Sequence, residues 1–186
     1  MVDRAAECIE ACKQRFANEP KISGFVNQGG SLGMIADQSV DFVFSFDVFV
    51  HIKRDIVEQY LREFRRTLKF GGRGFIHHSN LGAYNNSPEK RPPAGVRRLL
   101  TKWRVLDEDH HRTPTMSAQL FRSLSLNYGM PCLQQELINW RGRRLIDCFS
   151  WFERADVVGP GATRIVQNPN FMDEAAAIKR AALASR

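Results

Sequence analysis

Apolar positions along the chain recur with two different periods, and the switches between them mark out the elements. Ala5, Cys8, Ile9, Cys12 and Phe16 return at helical spacing, with Asp3 placed to cap or precede the helix. Pro20 ends that pattern, and residues 22–26 form a short apolar run suited to a buried strand. The run stops at Asn27-Gln28-Gly29-Gly30-Ser31, a loop signal. Residues 40–46 (Val-Asp-Phe-Val-Phe-Ser-Phe) make the strongest strand, rich in β-branched and aromatic side chains. After Asp47 the period becomes helical again. Ile56, Val57, Tyr60, Leu61, Phe64 and Leu68 share one face, while Arg62, Glu63, Arg65 and Arg66 face water. Gly71-Gly72 is expected to stop this helix ahead of a strand over residues 74–78. Strand, loop, strand, helix, glycine pair and strand is the rhythm of parallel βαβ units.

Residues 80–114 break the rhythm. They are polar and basic, contain Pro88, Pro92, Pro93 and Pro114, and offer only a short helix over 96–103. A connection of this length inside a compact domain reads as a lid or substrate loop. Ser117 then has the character of an N-cap for a helix over 118–128, with Gly129 at its end. Strands are expected over 132–140 and 145–152, joined as a hairpin through Arg141-Gly142-Arg143-Arg144. Past Glu153 come a Gly159-Pro160-Gly161 linker and an alanine-rich helix over 173–185. The organisation is therefore one α/β domain over 1–154, with an insert near 80–115, and a linker and helix over 155–186.

Composition narrows the class. With 43% hydrophobic and 25% charged residues, 186 residues suffice for one globular core and fall short of two comfortable ones. No apolar stretch approaches the roughly 20 residues of a membrane span. Met1-Val2-Asp3-Arg4 has no apolar run behind it, so no secretory signal is expected and a cytoplasmic location is. Cys8, Cys12, Cys132 and Cys148 lack CxxC spacing and read as free thiols. The net charge of +7 concentrates in residues 90–104, 141–144 and the tail. It reads as a solvated basic face rather than a polyanion site, so nucleic acid is not an expected partner.

Specific residues add to this order of elements. Residues 39–51 (Ser-Val-Asp-Phe-Val-Phe-Ser-Phe-Asp-Val-Phe-Val-His) are followed by 60–72 (Tyr-Leu-Arg-Glu-Phe-Arg-Arg-Thr-Leu-Lys-Phe-Gly-Gly). The pair resembles the strand D-x-[VI]-x-S-x-x-[VL]-x-H and the helix ending R-x-L-K-P-G-G of class I S-adenosylmethionine-dependent methyltransferases. The likeness covers roughly residues 2–152. It implies a Rossmann-like, mostly parallel sheet with an antiparallel C-terminal hairpin strand, and S-adenosylmethionine as cofactor at the carboxyl ends of the strands. By resemblance, Asp3 would hold the ribose hydroxyls, its two oxygens matching a vicinal diol. The loop Gln28, Gly29, Gly30, Ser31 and Leu32 would meet adenine, and Ser45, Phe46 and Asp47 the methionine end. Residues 74–81 and the paired end strands also look like a bacterial subgroup found with polysaccharide-modifying enzymes.

The sequence departs from the family in three places. The family's first strand and E/D-x-G-x-G-x-G loop should precede Asp3, where only Met1-Val2 stands, so the domain is expected to be N-terminally truncated. Glycines let the backbone approach the cofactor in that loop, so weak or absent binding is expected without it. Gln28 stands where an Asp is expected, and Phe70 where the turn usually has Pro.

Methyl transfer leaves the protein to orient an acceptor and, in some cases, to take its proton. His51, His77 and His78 are the candidate general bases, since imidazole titrates near neutrality and all three fall at predicted strand ends. Strand alternation lets only one of His77 and His78 point along a given face. His110-His111 beside Asp107, Glu108 and Asp109 lacks H-x-x-x-H spacing, so no metal site is expected. Neither Ser45 nor Ser79 lies in a G-x-S-x-G elbow, which removes a serine hydrolase. Trp103 and Tyr84 are candidates to stack on an acceptor or to anchor the insert. The reading is methyl transfer to a hydroxyl of a small-molecule or saccharide acceptor. The alternative is a non-catalytic basic α/β module that binds a partner or polyanion. A homo-oligomer is a further expectation, because a sheet short of a central strand exposes apolar edges.

Overall fold

Two helices and one face of a five-stranded sheet enclose the hydrophobic core in the computed structural model, which describes residues 1–84, 95, 111–140, 142–155 and 162–184. The elements run β1 (Val2–Asp3), α1 (Ala6–Arg15), β2 (Phe25–Val26), β3 (Val40–Phe49), α2 (Arg54–Thr67) and β4 (Leu68–Ser79). A 3-10 turn over Leu81–Tyr84 follows, then α3 (Ala118–Asn127), β5 (Cys132–Ile138), β6 (Asp147–Glu153), β7 (Arg164–Asn168) and α4 (Phe171–Ala184). β1 and β2 pair in parallel as a separate two-stranded sheet. The larger sheet has the order β3-β4-β6-β5-β7. Its pairs β3–β4 and β5–β7 are parallel, and β6 runs antiparallel to both its neighbours. The expected hairpin β5–β6 is present, and its antiparallel member lies inside the sheet rather than at its end.

The helical period of residues 54–67 explains the core. Val57, Leu61 and Phe64 of α2 meet Leu68 and Ile76 of β4, Phe121 and Leu124 of α3, and Phe152 of β6. Gly74 is needed here, because a Cβ on it would lie 2.2 Å from the Phe152 ring. The opposite face of the sheet carries a row of aromatic rings. Phe44 stacks on Phe75 at 5.3 Å, and Phe75 packs against Phe149 and Trp151. α4 reaches this face through Phe171, which touches Phe149 and Trp140. Phe42, Phe44, Phe46 and Val48 of β3 remain 43–66% exposed.

Several boundaries differ from the sequence reading. The strand expected over 22–26 shrinks to Phe25–Val26. Gly71-Gly72 does not end α2: the helix stops at Thr67 and β4 begins at Leu68. The pair sits inside β4, where Gly71 has φ +71° and the register with β3 slips between Val40 and Phe42. The glycines thus make a bulge in a strand, which their left-handed freedom permits. Asp3 precedes α1 without capping it, since the N-cap is Ala5 and has no side-chain bond. Ser117 does cap α3, accepting from Leu120 N–H at 3.2 Å. β7 falls where the sequence suggested only a linker. All four cysteines are free. No helix among the described residues is long and apolar enough to cross a membrane. The short helix expected over 96–103, Trp103, His110 and Arg141 lie outside the described residues.

Candidate functional site

The carboxyl ends of β3 and β4 meet the amino end of β6, and ionisable side chains collect where they meet. The sequence of β3 makes this edge irregular. Ser45 pairs with Ile76 and Phe49 with His78, so four residues of β3 span what two span on β4. The extra residues bulge at Asp47, whose φ is +57°, a left-handed conformation that Asp tolerates better than most residues. Asp47 N–H leaves the ladder and donates to His77 Nδ1 at 3.1 Å. His77 is fully buried, with its ring packed between Phe46 (4.8 Å) and Phe149 (4.9 Å). Its Nε2 faces the Asp147 carboxylate at 3.2 Å, an ion-pair distance without the alignment of a good hydrogen bond.

Asp147 is the buried anion of this cluster. Arg112 donates to it from Nε (3.1 Å) and Nη2 (2.9 Å), and Nη2 also reaches Asp47 Oδ1 at 3.2 Å. The Arg112 guanidinium lies 4.9 Å over the Trp140 ring. Burial alone pushes the Asp147 carboxyl up, but His77 and Arg112 outweigh it and hold the group below its ordinary value. The segment after Arg112 is stitched to the same edge. Thr113 N–H donates to the Val50 carbonyl at 2.8 Å, and Ser79 Oγ donates to the Thr113 carbonyl at 2.7 Å.

His78 points to the other face, as strand alternation requires. Its ring stacks on Phe121 at 4.3 Å, and Nε2 lies 2.8 Å from Ser150 Oγ. Burial pushes its pKa down to about 4. Enclosed in the helix-covered core, His78 has no route to an acceptor, and the base role expected of it is withdrawn. His77 is likewise sealed, with both ring nitrogens facing partners. His51 is different. It is exposed just past β3, and its Nδ1 lies 3.0 Å from the His111 carbonyl. A carbonyl can only accept, so Nδ1 carries a proton, and in the neutral form of the ring Nε2 is left as the acceptor.

The loop after β2 is held on α2. Asn27 Nδ2 donates to Tyr60 Oη at 2.8 Å, Gly30 N–H to Gln59 Oε1 at 3.3 Å, and Leu32 N–H to Glu63 Oε2 at 3.0 Å. Arg66 bonds Glu63 and the carbonyls of Leu32 and Ile35, and this guanidinium holds Glu63 below the usual carboxylate range. Tyr60 in turn packs 5.0 Å from Phe49 at the end of β3, which links the loop to the ionisable cluster. Gln28 and Ser31 stay exposed, Gly29 has φ +60°, and Leu32 is buried. Asp3 ends β1 with Oδ1 accepting from Ala5 N–H at 2.8 Å. Ser45 is half-buried, while Phe46 and Asp47 are exposed. Sequence reasoning missed Arg112 and Asp147. The usable signal was Asp147 itself, an acid opening the apolar run Cys148-Phe149, which requires a buried cation.

Comparison with known proteins agrees with this architecture. The methyltransferase domain family matches residues 1–76. No curated protein sequence matches the chain. The PH0226 protein of Pyrococcus horikoshii superposes with a TM-score of 0.55 at 15% identity, over 82% of this chain and 69% of that one. A structure from echinomycin biosynthesis, where a disulfide bond is converted into a thioacetal, gives 0.55 at 15% identity over 96% and 71%. A TehB-like, S-adenosylmethionine-dependent methyltransferase of Corynebacterium glutamicum gives 0.52 at 15% over 82% and 66%. The match to the methyltransferase domain family thus spans residues 1–76 of the 186, and the likeness to the solved structures shows a shared fold, that of a TehB-like S-adenosylmethionine-dependent methyltransferase among them.

Proposed function

We propose that the chain serves O-methylation of a small-molecule or saccharide acceptor, with His51 as general base. The observation that carries this reading is the contact of His51 Nδ1 with the His111 carbonyl at 3.0 Å. Its Nδ1–H is spent on the His111 carbonyl, which leaves Nε2 to take a proton from an acceptor hydroxyl. S-adenosylmethionine, when bound, supplies a sulfonium methyl group ready for in-line displacement. Asp3 would hold the ribose hydroxyls, Gln28, Gly29, Ser31 and Leu32 would line the adenine, and Ser45, Phe46 and Asp47 the methionine end. The fit rests on the loop after β2, where Asn27 Oδ1 is buried with no hydrogen-bond partner while its Nδ2 is tied to Tyr60 of α2. The sequence contains no E/D-x-G-x-G-x-G stretch, so these residues offer only part of a cofactor wall. The cytoplasm is the proposed location, with a small acceptor rather than nucleic acid as partner.

Calorimetric titration of the 186-residue protein with S-adenosylhomocysteine tests the cofactor half. Weak, saturable binding that Asp3→Ala diminishes supports it. No saturable heat at about 1 mM ligand, a bound near 4 kcal/mol, overturns it and favours the non-catalytic basic module. Transfer of a labelled methyl group to hydroxylated acceptors, with its loss in His51→Ala, tests the base.

A further inference from the structure

We propose that His77 is a positioning residue that fixes the β3 bulge, so that the buried array His77–Asp147–Arg112 presents the Asp47 carboxylate to solvent at the end of β3. The clause that Asp47 faces a bound ligand rests on the methyltransferase reading above; the positioning itself does not.

The bulge frees one backbone N–H, that of Asp47. A bulge removes its extra residues from the strand ladder, and each freed donor needs another acceptor. For Asp47 N–H that acceptor is the imidazole Nδ1 at 3.1 Å. A protonated Nδ1 would turn two donors on each other, so the bulge requires the Nε2–H tautomer. Asp147, 3.2 Å from Nε2, favours a proton there. Phe46 and Phe149 pack on the ring from 4.8 and 4.9 Å. The left-handed backbone at Asp47 is thus maintained by a side chain thirty positions downstream.

Arg112 completes the array from the opposite side. It forks onto Asp147 and extends one N–H to Asp47 Oδ1. The side chains of His77 and Asp147 are 0% exposed and that of Arg112 4%, whereas that of Asp47 is 45% exposed. Asp47 is therefore the solvent-facing end of an otherwise sealed series of charges. Its carboxylate is offered to a hydrogen-bond donor on a ligand entering at the end of β3. His77 accordingly moves no proton in the reaction; its role is to set where that carboxylate stands.

Nitrogen-15 NMR on the full chain at neutral pH, without ligand, is the primary test. The proposal expects His77 Nε2 protonated and Nδ1 unprotonated, with Asp47 N–H protected from exchange. The Nδ1–H tautomer would overturn it. His77→Asn keeps an acceptor near the Nδ1 position and should preserve Asp47 protection; His77→Ala should abolish it. Equal protection in all three proteins would also overturn the proposal, and folding of each variant is checked by its amide spectrum. S-adenosylhomocysteine titration then tests whether Asp47 faces a bound ligand. His77→Ala and Asp47→Ala should each weaken binding about tenfold, the scale of one lost hydrogen bond, with no further loss in the double variant. Failure of all proteins to bind would refute the methyltransferase reading and leave the NMR result to decide the positioning role.

Discussion

Acidification should unfold this chain partly through His78, and the size of the effect follows from its surroundings. The ring is fully buried against Phe121, and burial lowers its pKa from 6.5 to about 4. The unfolded chain therefore takes up this proton first as the pH falls. The stabilisation is fully present above about pH 6.5 and is lost as the pH falls towards 4. Within that window each pH unit removes about 1.4 kcal/mol, so a drop from about pH 7.5 to about pH 5 removes about 2 kcal/mol. Urea denaturation of wild type and His78→Gln across this range isolates the term, because every other titrating group is common to both. The variant starts less stable, having lost the ring stack, yet its stability should fall about 2 kcal/mol less on acidification. Parallel pH dependences in the two proteins would refute the reasoning and show that His78 is solvated.

Two further outcomes test the packing. Gly74→Ala places a methyl group 2.2 Å from the Phe152 ring, so the core must open. A loss of about 1–3 kcal/mol in chemical denaturation is expected, and an unchanged midpoint would contradict the close approach of β4 and β6. Burial pushes the thiols of Cys132 and Cys148 up to about 12, whereas Cys8 is exposed. A small alkylating reagent at neutral pH should modify Cys8 in the native protein and reach Cys132 and Cys148 only after denaturant, as read by mass spectrometry; equal rates would show an open sheet.

Periodicity made the scaffold legible. The amphipathic α2, the aromatic β3 and the β5–β6 hairpin lie close to where the hydrophobic pattern put them, because tertiary burial there agrees with local preference. β7 was not legible: Arg164-Ile165-Val166-Gln167-Asn168 is a short edge strand with polar residues on both faces, and only its pairing with β5 defines it. The Gly71-Gly72 pair reads locally as a helix stop, yet the strand–strand pairing of β4 with β3 and β6 overrides that signal. At the site, alternation correctly separated His77 from His78 but could not say that both would be enclosed. Arg112 was hidden for a different reason. Its neighbours in sequence are polar, and its meaning comes from Asp147, thirty-five positions away.

The aromatic row along β3 bears on how any stability of this protein is to be understood. Phe42, Phe44, Phe46 and Val48 stand in water on a strand whose second edge has no ladder partner among the described residues. Each such side chain leaves part of the roughly 1.5–3 kcal/mol of full burial unrealised. The folded chain thus carries a wetting penalty on one side, while its helix-covered side is dry. Its free energy of folding is then a property of the solution as much as of the chain: whatever covers that face, at whatever concentration, adds to it by mass action.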